Sequence, residues 1–579
     1  MKIKPCLLYP VLCFFFSLTV VSQNFDKETI GFTWYDLQTN GSMQNRIHVF
    51  DDGTIGAVWT MGLEWQNYFI ADRGTGYNYF NGMDWAEPPV QRIEEVRTGW
   101  PGYAPLGDNG EIIISHISDT NSYRGLMIGR RFQKGTGEWT TDTILGPVNV
   151  PNQALLFPRM VTVGVNHETI HLLATPMPTS NGGFPYFSQD PPLLYYRSTD
   201  MGETWDIRNH IFPVLDSANY LAIPLDCYAW AQPKGDTIAF VVGSKIIDLI
   251  VMKSNDNGET WQKTVVWEHP VPFYTSDSLS GDSIYCCDGS SSIALDAMGL
   301  IHIAFGIDIL FNNGSFFVPG PPDGLAYWNE SMPVFEGIKD ALNPDVLMQS
   351  GNLVGWSQDL NGNGQLDTID FPWYKQRGMS NMPSLVCKHN NLYLAFSSVT
   401  EFFDNGLYNY RHVWFRRSTD NGSSWGNFFD INGGLIGVWN ENVFPGLSIS
   451  DNHLGLIFQT DPDPGCAVIG QHFYIENQIK YVDLSEYMFS ITDSPTSQTF
   501  DNIVIHPNPS CGVFFIHFPK DLKNKRVNIV DHFGNIISEN SFTSETTIRI
   551  NIDNKPNGVY FAKIQTEDGI TTRKIIIKK

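Results

Sequence analysis

Short apolar runs separated by tight polar turns recur along most of the chain. The turns contain Asp, Asn and Gly, which tolerate the left-handed backbone of a tight hairpin. The flanking runs are rich in Val, Ile, Leu and Phe, as buried strands are, and no long segment keeps a helical period. The pattern predicts seven hairpins, NRIHVFDDGTIGAVWT from Asn45, PGYAPLGDNGEIIISH from Pro101, FPRMVTVGVNHETIHLLAT from Phe157, YAWAQPKGDTIAFVVG from Tyr228, SSIALDAMGLIHIAFG from Ser291, MPSLVCKHNNLYLAFSS from Met382 and FPGLSISDNHLGLIFQ from Phe444.

The spacing of these hairpins indicates how they assemble. It runs from about 55 to 90 residues, enough for four strands and their loops per unit, which is the size of a propeller blade. The early segment TIGFTWYDLQ has no partner nearby, and we expect it to close the ring by pairing after QIKYVDL. We therefore predict an all-β propeller over residues 28–488, with seven blades favoured and six as the alternative.

One polar loop sequence occurs three times, as STDMGETW, SNDNGETW and STDNGSSW. Its Ser and Asp can bond to the backbone of a hairpin, its Gly can adopt a positive φ, and its Trp can fill space between strands. The motif therefore predicts a structural clasp rather than a catalytic group. Its residues are Ser198, Asp200, Gly202 and Trp205, then Ser254, Asp256, Gly258 and Trp261, then Ser418, Asp420, Gly422 and Trp425.

The pattern S-x-D-x-G-x-x-W resembles the Asp-box, or BNR repeat, of sialidases and related β-propellers. The resemblance implies a sialidase-like fold in which the boxes lie away from an active site at the mouth of the ring. In that family an Arg-Ile-Pro motif opens the first blade, and its arginine helps to grip the substrate carboxylate. Here Arg46 and Ile47 match the motif, and His48 replaces the proline.

The same resemblance implies further site residues. Asp72 is the candidate for the family's acid/base residue, and Glu401 with Tyr408 or Tyr410 is the nearest match to its nucleophile pair. Each candidate arginine has an alternative interpretation as a surface or salt-bridge residue. The other candidates for the carboxylate pocket are Arg97, Arg159 and Arg377.

The sequence HETIH, His167 to His171, fits the zinc-protease pattern HExxH. That pattern works on a helix, where residues four apart share one face. Here it falls on a turn and a strand, where positions four apart are separated by about 13 Å. A zinc-protease site is therefore rejected.

A second motif predicts calcium. DLNGNGQLDTID, residues 359–370, has the spacing of a twelve-residue calcium loop, with alternate oxygen-bearing side chains and a glycine at the bend. A polar surface turn is the alternative. We expect a structural Ca²⁺ site with the ligands Asp359, Asn361, Asn363, Gln365 through its carbonyl, Asp367 and Asp370.

The net charge and the N-terminal sequence indicate which partners and which location to expect for this protein. The net charge of −24 excludes a nucleic-acid partner, because no basic surface is available for phosphates. Residues 1–22 have the basic start and apolar run of a signal peptide, and no later segment is apolar enough to give the mature chain a transmembrane span.

The last part of the chain changes character. IHPNPSCGVFFIHF, VNIVDHFGNIISE, NKPNGVYFAKIQTEDG and TTRKIIIKK resemble, in order, the C-terminal sorting domain of type IX secretion cargo from Bacteroidetes-type bacteria, with His506 in place of the commoner tyrosine. We predict a linker over 489–501 and a small β-sandwich over 502–579. The resemblance implies the type IX machinery as partner and a secreted or outer-surface location.

Two functions remain open at this point. The protein is either a non-catalytic surface protein that binds glycan or protein, or a sialidase-like exo-glycoside hydrolase that uses Arg46 and Asp72. We favour binding, because the family's catalytic set is incomplete. The aromatic candidates for stacking against a ligand are Tyr77, Trp100, Tyr103 and Trp230.

Overall fold

The computed structural model describes residues 25–63, 72–118, 123–275, 283–311, 322–361, 365–433, 437–489, 503–508, 510–518, 525–531, 536–543, 545–566 and 569–579. The predicted signal peptide and nearly all of the predicted linker lie outside these residues. The chain divides into two compact units, Met1–Met488 and Phe489–Lys579. Among the described residues, the α-helices are Pro344–Ser350 and Glu486–Phe489.

The first unit contains seven antiparallel sheets, whose strands are numbered here in chain order. Blade 1 has β2 (Ile47–Val49), β3 (Ile55–Met61) and β4 (Gly74–Phe80); blade 2 has β5 (Thr98–Leu106), β6 (Gly110–Ser118), β7 (Tyr123–Arg131) and β8 (Thr140–Ile144); blade 3 has β9 (Leu155–Val163), β10 (Thr169–Pro176), β11 (Leu194–Ser198) and β12 (Ile207–His210); blade 4 has β13 (Tyr228–Trp230), β14 (Ile238–Ser244), β15 (Ile247–Ser254) and β16 (Gln262–Trp267). Blade 5 has β17 (Ser283–Leu295), β18 (Ile301–Phe311), β19 (Leu325–Asn329) and β20 (Leu353–Gly355); blade 6 has β21 (Ser380–Lys388), β22 (Asn391–Asp404), β23 (Asn409–Ser418) and β24 (Phe429–Asp430); blade 7 has β25 (Glu441–Ile449), β26 (Leu454–Asp461), β27 (Asn477–Asp483) and β1 (Glu28–Thr33).

The first strand of each blade is innermost, and these inner strands close a ring. Each packs on the inner strand of the next blade, and β25 packs on β2. β1 pairs antiparallel with β27, with Glu28 opposite Tyr481 and Thr33 opposite Asn477. The predicted seven-bladed propeller is confirmed, and so is its closure by the N-terminal strand.

Apolar side chains fill the space between neighbouring blades. Between blades 4 and 5, for example, Val241, Leu249, Trp267, Ile303 and Trp328 are almost completely buried. Each such side chain contributes about 1.5–3 kcal/mol when it leaves water. The continuous apolar runs of the sequence are therefore explained by strands that are covered on both sheet faces.

The three Asp-boxes connect the third and fourth strands of blades 3, 4 and 6. In the first, Ser198 Oγ accepts from the Gly202 amide at 2.8 Å, and Asp200 accepts from the Thr204 amide at 2.8 Å and the Thr204 hydroxyl at 2.6 Å. Gly202 has φ +83°, a conformation that favours glycine. The other two boxes repeat this pattern of bonds.

The second unit consists of two antiparallel sheets that share an apolar core of Phe, Ile, Val, Ala and Tyr side chains. One sheet has β28 (Val504–His506), β29 (Val513–His517) and β32 (Thr547–Asn551). The other has β30 (Lys525–Asp531), β31 (Ile536–Phe542), β33 (Gly558–Thr566) and β34 (Gly569–Ile577). This is the β-sandwich expected for the tail.

Candidate functional site

The alternation of strands gives the propeller two faces. At one, the inner strands begin, the second strands end and the third strands begin; we call it the mouth face. The Asp-boxes and the hairpins between first and second strands lie at the other, which we call the hairpin face. Buried charged side chains gather at the mouth face, among them Arg46, Arg159, Asp226, Arg411 and Glu441.

Arg46 lies directly before β2 and is only 1% exposed. Its Nη2 donates to the Phe444 carbonyl, and its Nε has no hydrogen-bond partner in the described part of the chain. Burial and the nearby charge of Arg159 lower the pKa of Arg46 to about 9. The side chain lines one end of a central cavity of about 450 Å³ bordered by all seven inner strands.

The segment between β1 and β2 crosses the mouth. The Asn40 amide donates to Asp226 at 2.7 Å, the Ser291 amide donates to Ser42 Oγ at 3.0 Å, and Gln376 Nε2 donates to the Asn40 carbonyl at 2.7 Å. These bonds attach the segment to residues just before β13 and β21 and to Ser291 within β17. A substrate approaching Arg46 from the mouth face would have to displace it.

Arg159 is held in an internal ion pair. Its Nη2 donates to Asp226 Oδ1 and, at 2.7 Å, to the Ser42 carbonyl. Trp100 Nε1 donates to the other carboxylate oxygen at 3.0 Å. Because both members of the pair are buried and bonded to each other, the Arg159 guanidinium is engaged in bonds within the protein.

The remaining predicted pocket residues contact different partners. Arg97 donates to Ser118, the Arg377 guanidinium lies 4.4 Å from the Trp373 ring centre, and an Asp72 oxygen accepts from the Leu63 amide at 2.8 Å. Their assignment to a substrate pocket stays a prediction.

Three of the four predicted stacking aromatics lie inside the fold. Trp100, Tyr103 and Trp230 are at most 6% exposed. The hydroxyls of Tyr77 and Tyr103 donate to the buried Glu111 carboxylate, and Trp230 Nε1 donates to a backbone carbonyl at 3.0 Å. Trp100, Tyr103 and Trp230 therefore stabilise the blades and present no ring face to a ligand, whereas Tyr77 is half-buried and has the Arg131 guanidinium over its ring.

The histidines of HETIH separate as expected for a turn followed by a strand. His167 has φ +50° in the turn before β10, whereas His171, in β10, lies 2.7 Å from the Tyr195 hydroxyl and 2.8 Å from Asn257 Oδ1. Both ring nitrogens of His171 are thus engaged in protein contacts.

The predicted calcium loop is organised around Glu401. This buried carboxylate accepts from the amides of Leu360 at 2.5 Å and Asp367 at 3.0 Å, and Asn361 Nδ2 donates to Asp367 at 2.9 Å. Asn363 lies outside the described residues, and the described part contains no group of three or more His, Cys, Asp or Glu side chains that could hold a metal ion. Amide N–H donors, and not oxygen ligands, converge on the Glu401 carboxylate. The described residues therefore do not show a fit to Ca²⁺, and the Ca²⁺ site stays a prediction.

A tyrosine, a glutamate and an arginine meet at the start of blade 7. The Tyr374 hydroxyl lies 3.0 Å from Glu441 Oε1, and the Arg411 amide donates to Glu441 Oε2 at 2.7 Å. Burial raises the pKa of Glu441 to about 7, although the Arg411 charge opposes the shift. The Arg411 guanidinium donates to the Met379 and Gly378 carbonyls, and all three side chains are buried.

A second acidic group lies beside it. His472 Nε2 is 3.0 Å from Asp36, and this contact raises the pKa of His472 to about 9 against the opposing effect of burial. Asp461 is 3% exposed, and its Oδ2 has no hydrogen-bond partner among the residues described. Burial and the Asp36 charge raise the pKa of Asp461.

An aromatic cluster of Phe403, Tyr410 and Trp439 borders these carboxylates; Phe403 is half-buried, Tyr410 is 6% exposed, and Trp439 is its exposed member. Trp439 is 51% exposed and lies two residues before Glu441; its ring centre is 5.3 Å from that of Phe403 and 6.5 Å from that of Tyr410. Burial first, and then the charges of Asp463, Glu441, Asp461 and Asp404, raise the pKa of Tyr410. The cluster therefore stands in a negative local field.

Comparison with known families identifies the tail. Residues 504–578 match the model of the secretion system C-terminal sorting domain, which confirms the predicted sorting domain. The protein is therefore handled by type IX secretion and exported to the cell surface or beyond it. No curated protein matches the chain, and no helix in its described portion has the length and hydrophobicity to cross a bilayer.

Solved structures with similar arrangements include three carbohydrate-active proteins. An ulvan lyase of a new polysaccharide lyase family, bound to a sugar fragment, is 11% identical, with a TM-score of 0.44 over 79% of this chain and 96% of that one. The Trypanosoma rangeli sialidase with the inhibitor DANA is 10% identical, with a TM-score of 0.36 over 92% and 84%. The Penicillium chrysogenum α-L-arabinanase with arabinobiose is 12% identical, with a TM-score of 0.34 over 67% and 94%.

Proposed function

We propose that this exported propeller binds extracellular glycans, without hydrolysing them, at the Phe403–Tyr410–Trp439 cluster. The observation that carries the proposal is the half-exposed ring of Trp439 beside buried carboxylates. An exposed aromatic ring is unfavourable in water, and a flat ring with polar groups at its edge suits a sugar, which has both apolar faces and hydroxyls.

The charge of the site indicates which glycans to expect. The raised pKa values of Glu441 and Asp461 reduce their negative charge near neutral pH, so Asp404 and Asp463 supply most of the negative charge beside Tyr410, while the nearby cation Arg411 is buried against carbonyls. An anionic sugar would meet like charges at short range. Neutral sugars are therefore favoured, and so are amino sugars, whose ammonium group can lie over an aromatic face.

The burial of the chemical groups supports binding rather than hydrolysis. Tyr374 is 4% exposed and Glu441 0%, and Arg46, Arg159 and Arg411 donate to separate partners in the protein. A second candidate, a sialidase-like hydrolase, is favoured only by the Tyr374–Glu441 contact. For it to act, the segment between β1 and β2 would have to open.

The two functions separate in one set of assays. Neutral, amino-bearing and uronate- or sialate-bearing oligosaccharides are titrated into the full-length protein, and fluorogenic glycosides, including sialosides, are offered as substrates. We expect saturable binding of neutral or amino glycans and no turnover. Turnover of a sialoside that disappears in Arg46→Ala and Glu441→Gln would replace the binding proposal with the hydrolase.

A further inference from the structure

Two histidines of the C-terminal unit bring ring nitrogens to one point. His506 lies in β28 and His517 in β29, and these strands pair with Ile505 opposite Ile516. Their ring planes are parallel to within 1°, the ring centres are 4.5 Å apart, and the two Nε2 atoms face each other in contact. His506 is exposed and His517 half-buried, so the point of contact is accessible to solvent.

Two imidazole nitrogens cannot face each other without something between them. In the contact itself one nitrogen donates its proton to the other, and when both Nε2 atoms are deprotonated their lone pairs can turn to one cation. The other ring nitrogen of His517 lies 2.9 Å from the Thr547 hydroxyl. If Nδ1 donates that bond, Nε2 carries the lone pair, which is the arrangement that second-shell partners impose on metal-binding histidines.

We propose that His506 and His517 bind a divalent transition-metal ion through their Nε2 atoms. Imidazole nitrogen suits Cu²⁺, Ni²⁺ and Zn²⁺, whereas Ca²⁺ and Mg²⁺ prefer oxygen. The described residues contain no group of three or more His, Cys, Asp or Glu side chains that could hold a metal ion, so water completes the coordination. Cu²⁺ binds most tightly, as the usual order of affinities requires.

The ion would join two strands of the smaller sheet. β28 is a three-residue strand at the edge of that sheet and pairs only with β29 among the described strands. A metal held by one side chain from each strand adds a link across this short ladder. The site is independent of the proposed glycan site, which lies in the other unit.

The test is titration of Cu²⁺ and Ni²⁺ into full-length protein purified without a histidine tag, near neutral pH and with Ca²⁺ present. One ion is expected per chain, and binding is lost in His506→Gln and in His517→Gln. Thr547→Val is expected to weaken binding by about tenfold. The controls His389→Gln, an exposed histidine of the propeller, and Cys511→Ser, an exposed thiol of the same unit, are expected to bind like wild type.

In wild-type protein, Cu²⁺ is expected to broaden the NMR signals of these two histidine rings first, which does not depend on how any variant folds. Undiminished binding in His506→Gln, loss of binding only in Cys511→Ser, or an absence of binding to the wild type would overturn the proposal.

Discussion

The hairpin face and the mouth face of this propeller are built in opposite ways. On the hairpin face, three Asp-boxes use the same Ser, Asp and Gly bonds, all within eight residues of sequence. On the mouth face, buried charges such as Arg159 and Arg411 bond to partners from distant parts of the chain, Arg159 to Asp226 and Arg411 to the Met379 carbonyl. Local repetition gives a standard clasp, whereas long-range pairing makes the mouth face specific to this protein.

The largest expected effect is the removal of one partner from a long-range pair. Asp226→Ala leaves the Arg159 guanidinium buried without its carboxylate and is expected to lower the free energy of unfolding by about 3–5 kcal/mol. Urea unfolding measures it. The matched control is Asp206→Ala, which breaks the more exposed Arg197–Asp206 pair and is expected to cost less than about 1 kcal/mol. Equal losses of unfolding free energy in Asp226→Ala and Asp206→Ala would contradict the expected difference between the buried and the exposed ion pair.

The mouth face is also expected to respond to pH through Glu441. Its folded pKa of about 7 lies above the reference value of 4.5, so the folded state retains a proton that the unfolded state releases. Stability therefore falls as pH rises from 4.5 to 7, by roughly 3 kcal/mol. Glu441→Gln, which stays neutral, should remove this dependence when unfolding is compared with wild type across that range. An unchanged pH profile would contradict the assigned pKa.

Whether the predicted loop at residues 359–370 binds Ca²⁺ can be tested by its effect on stability. If the ion binds the folded chain only, Ca²⁺ at about 100 times its Kd stabilises the protein by about 2.7 kcal/mol. Thermal unfolding with and without a chelator measures this effect, and Asp359→Ala should abolish it. A chelator effect that survives in Asp359→Ala would place the ion elsewhere.

A smaller loss of stability is expected when a glycine of an Asp-box is replaced by alanine, and its size depends on the space beside that glycine. Gly422 and Gly202 have φ near +85° and +83°, so alanine costs about 1–2 kcal/mol at either position. A Cβ on Gly422 would also lie 1.9 Å from the Tyr327 hydroxyl, whereas on Gly202 the nearest atom is 3.2 Å away. Gly422→Ala should therefore be the more destabilising by about 1–3 kcal/mol in chemical unfolding. The reverse order would show that the neighbouring tyrosine moves freely.

The same contrast explains what the sequence could predict. Hairpins, blade count and ring closure follow from short patterns of apolar residues and turns. The role of Arg46 does not, because the segment that covers the mouth is ordinary polar sequence, and its bonds go to Asp226, Ser291 and Gln376, far along the chain. Trp439 carries a weak signal at best: an aromatic residue just before an inner strand, in a sequence with many buried tryptophans.

The central claim is that the mouth face binds glycan through the exposed ring of Trp439. The most direct measurement is titration of the neutral or amino oligosaccharide that wild type binds into Trp439→Ala, with Phe187→Ala, which removes a 71% exposed aromatic of blade 3, as control. Loss of a central aromatic contact worth 2 kcal/mol or more would weaken binding by about thirtyfold, and the control should bind normally. Equal affinity in Trp439→Ala and wild type would contradict the claim.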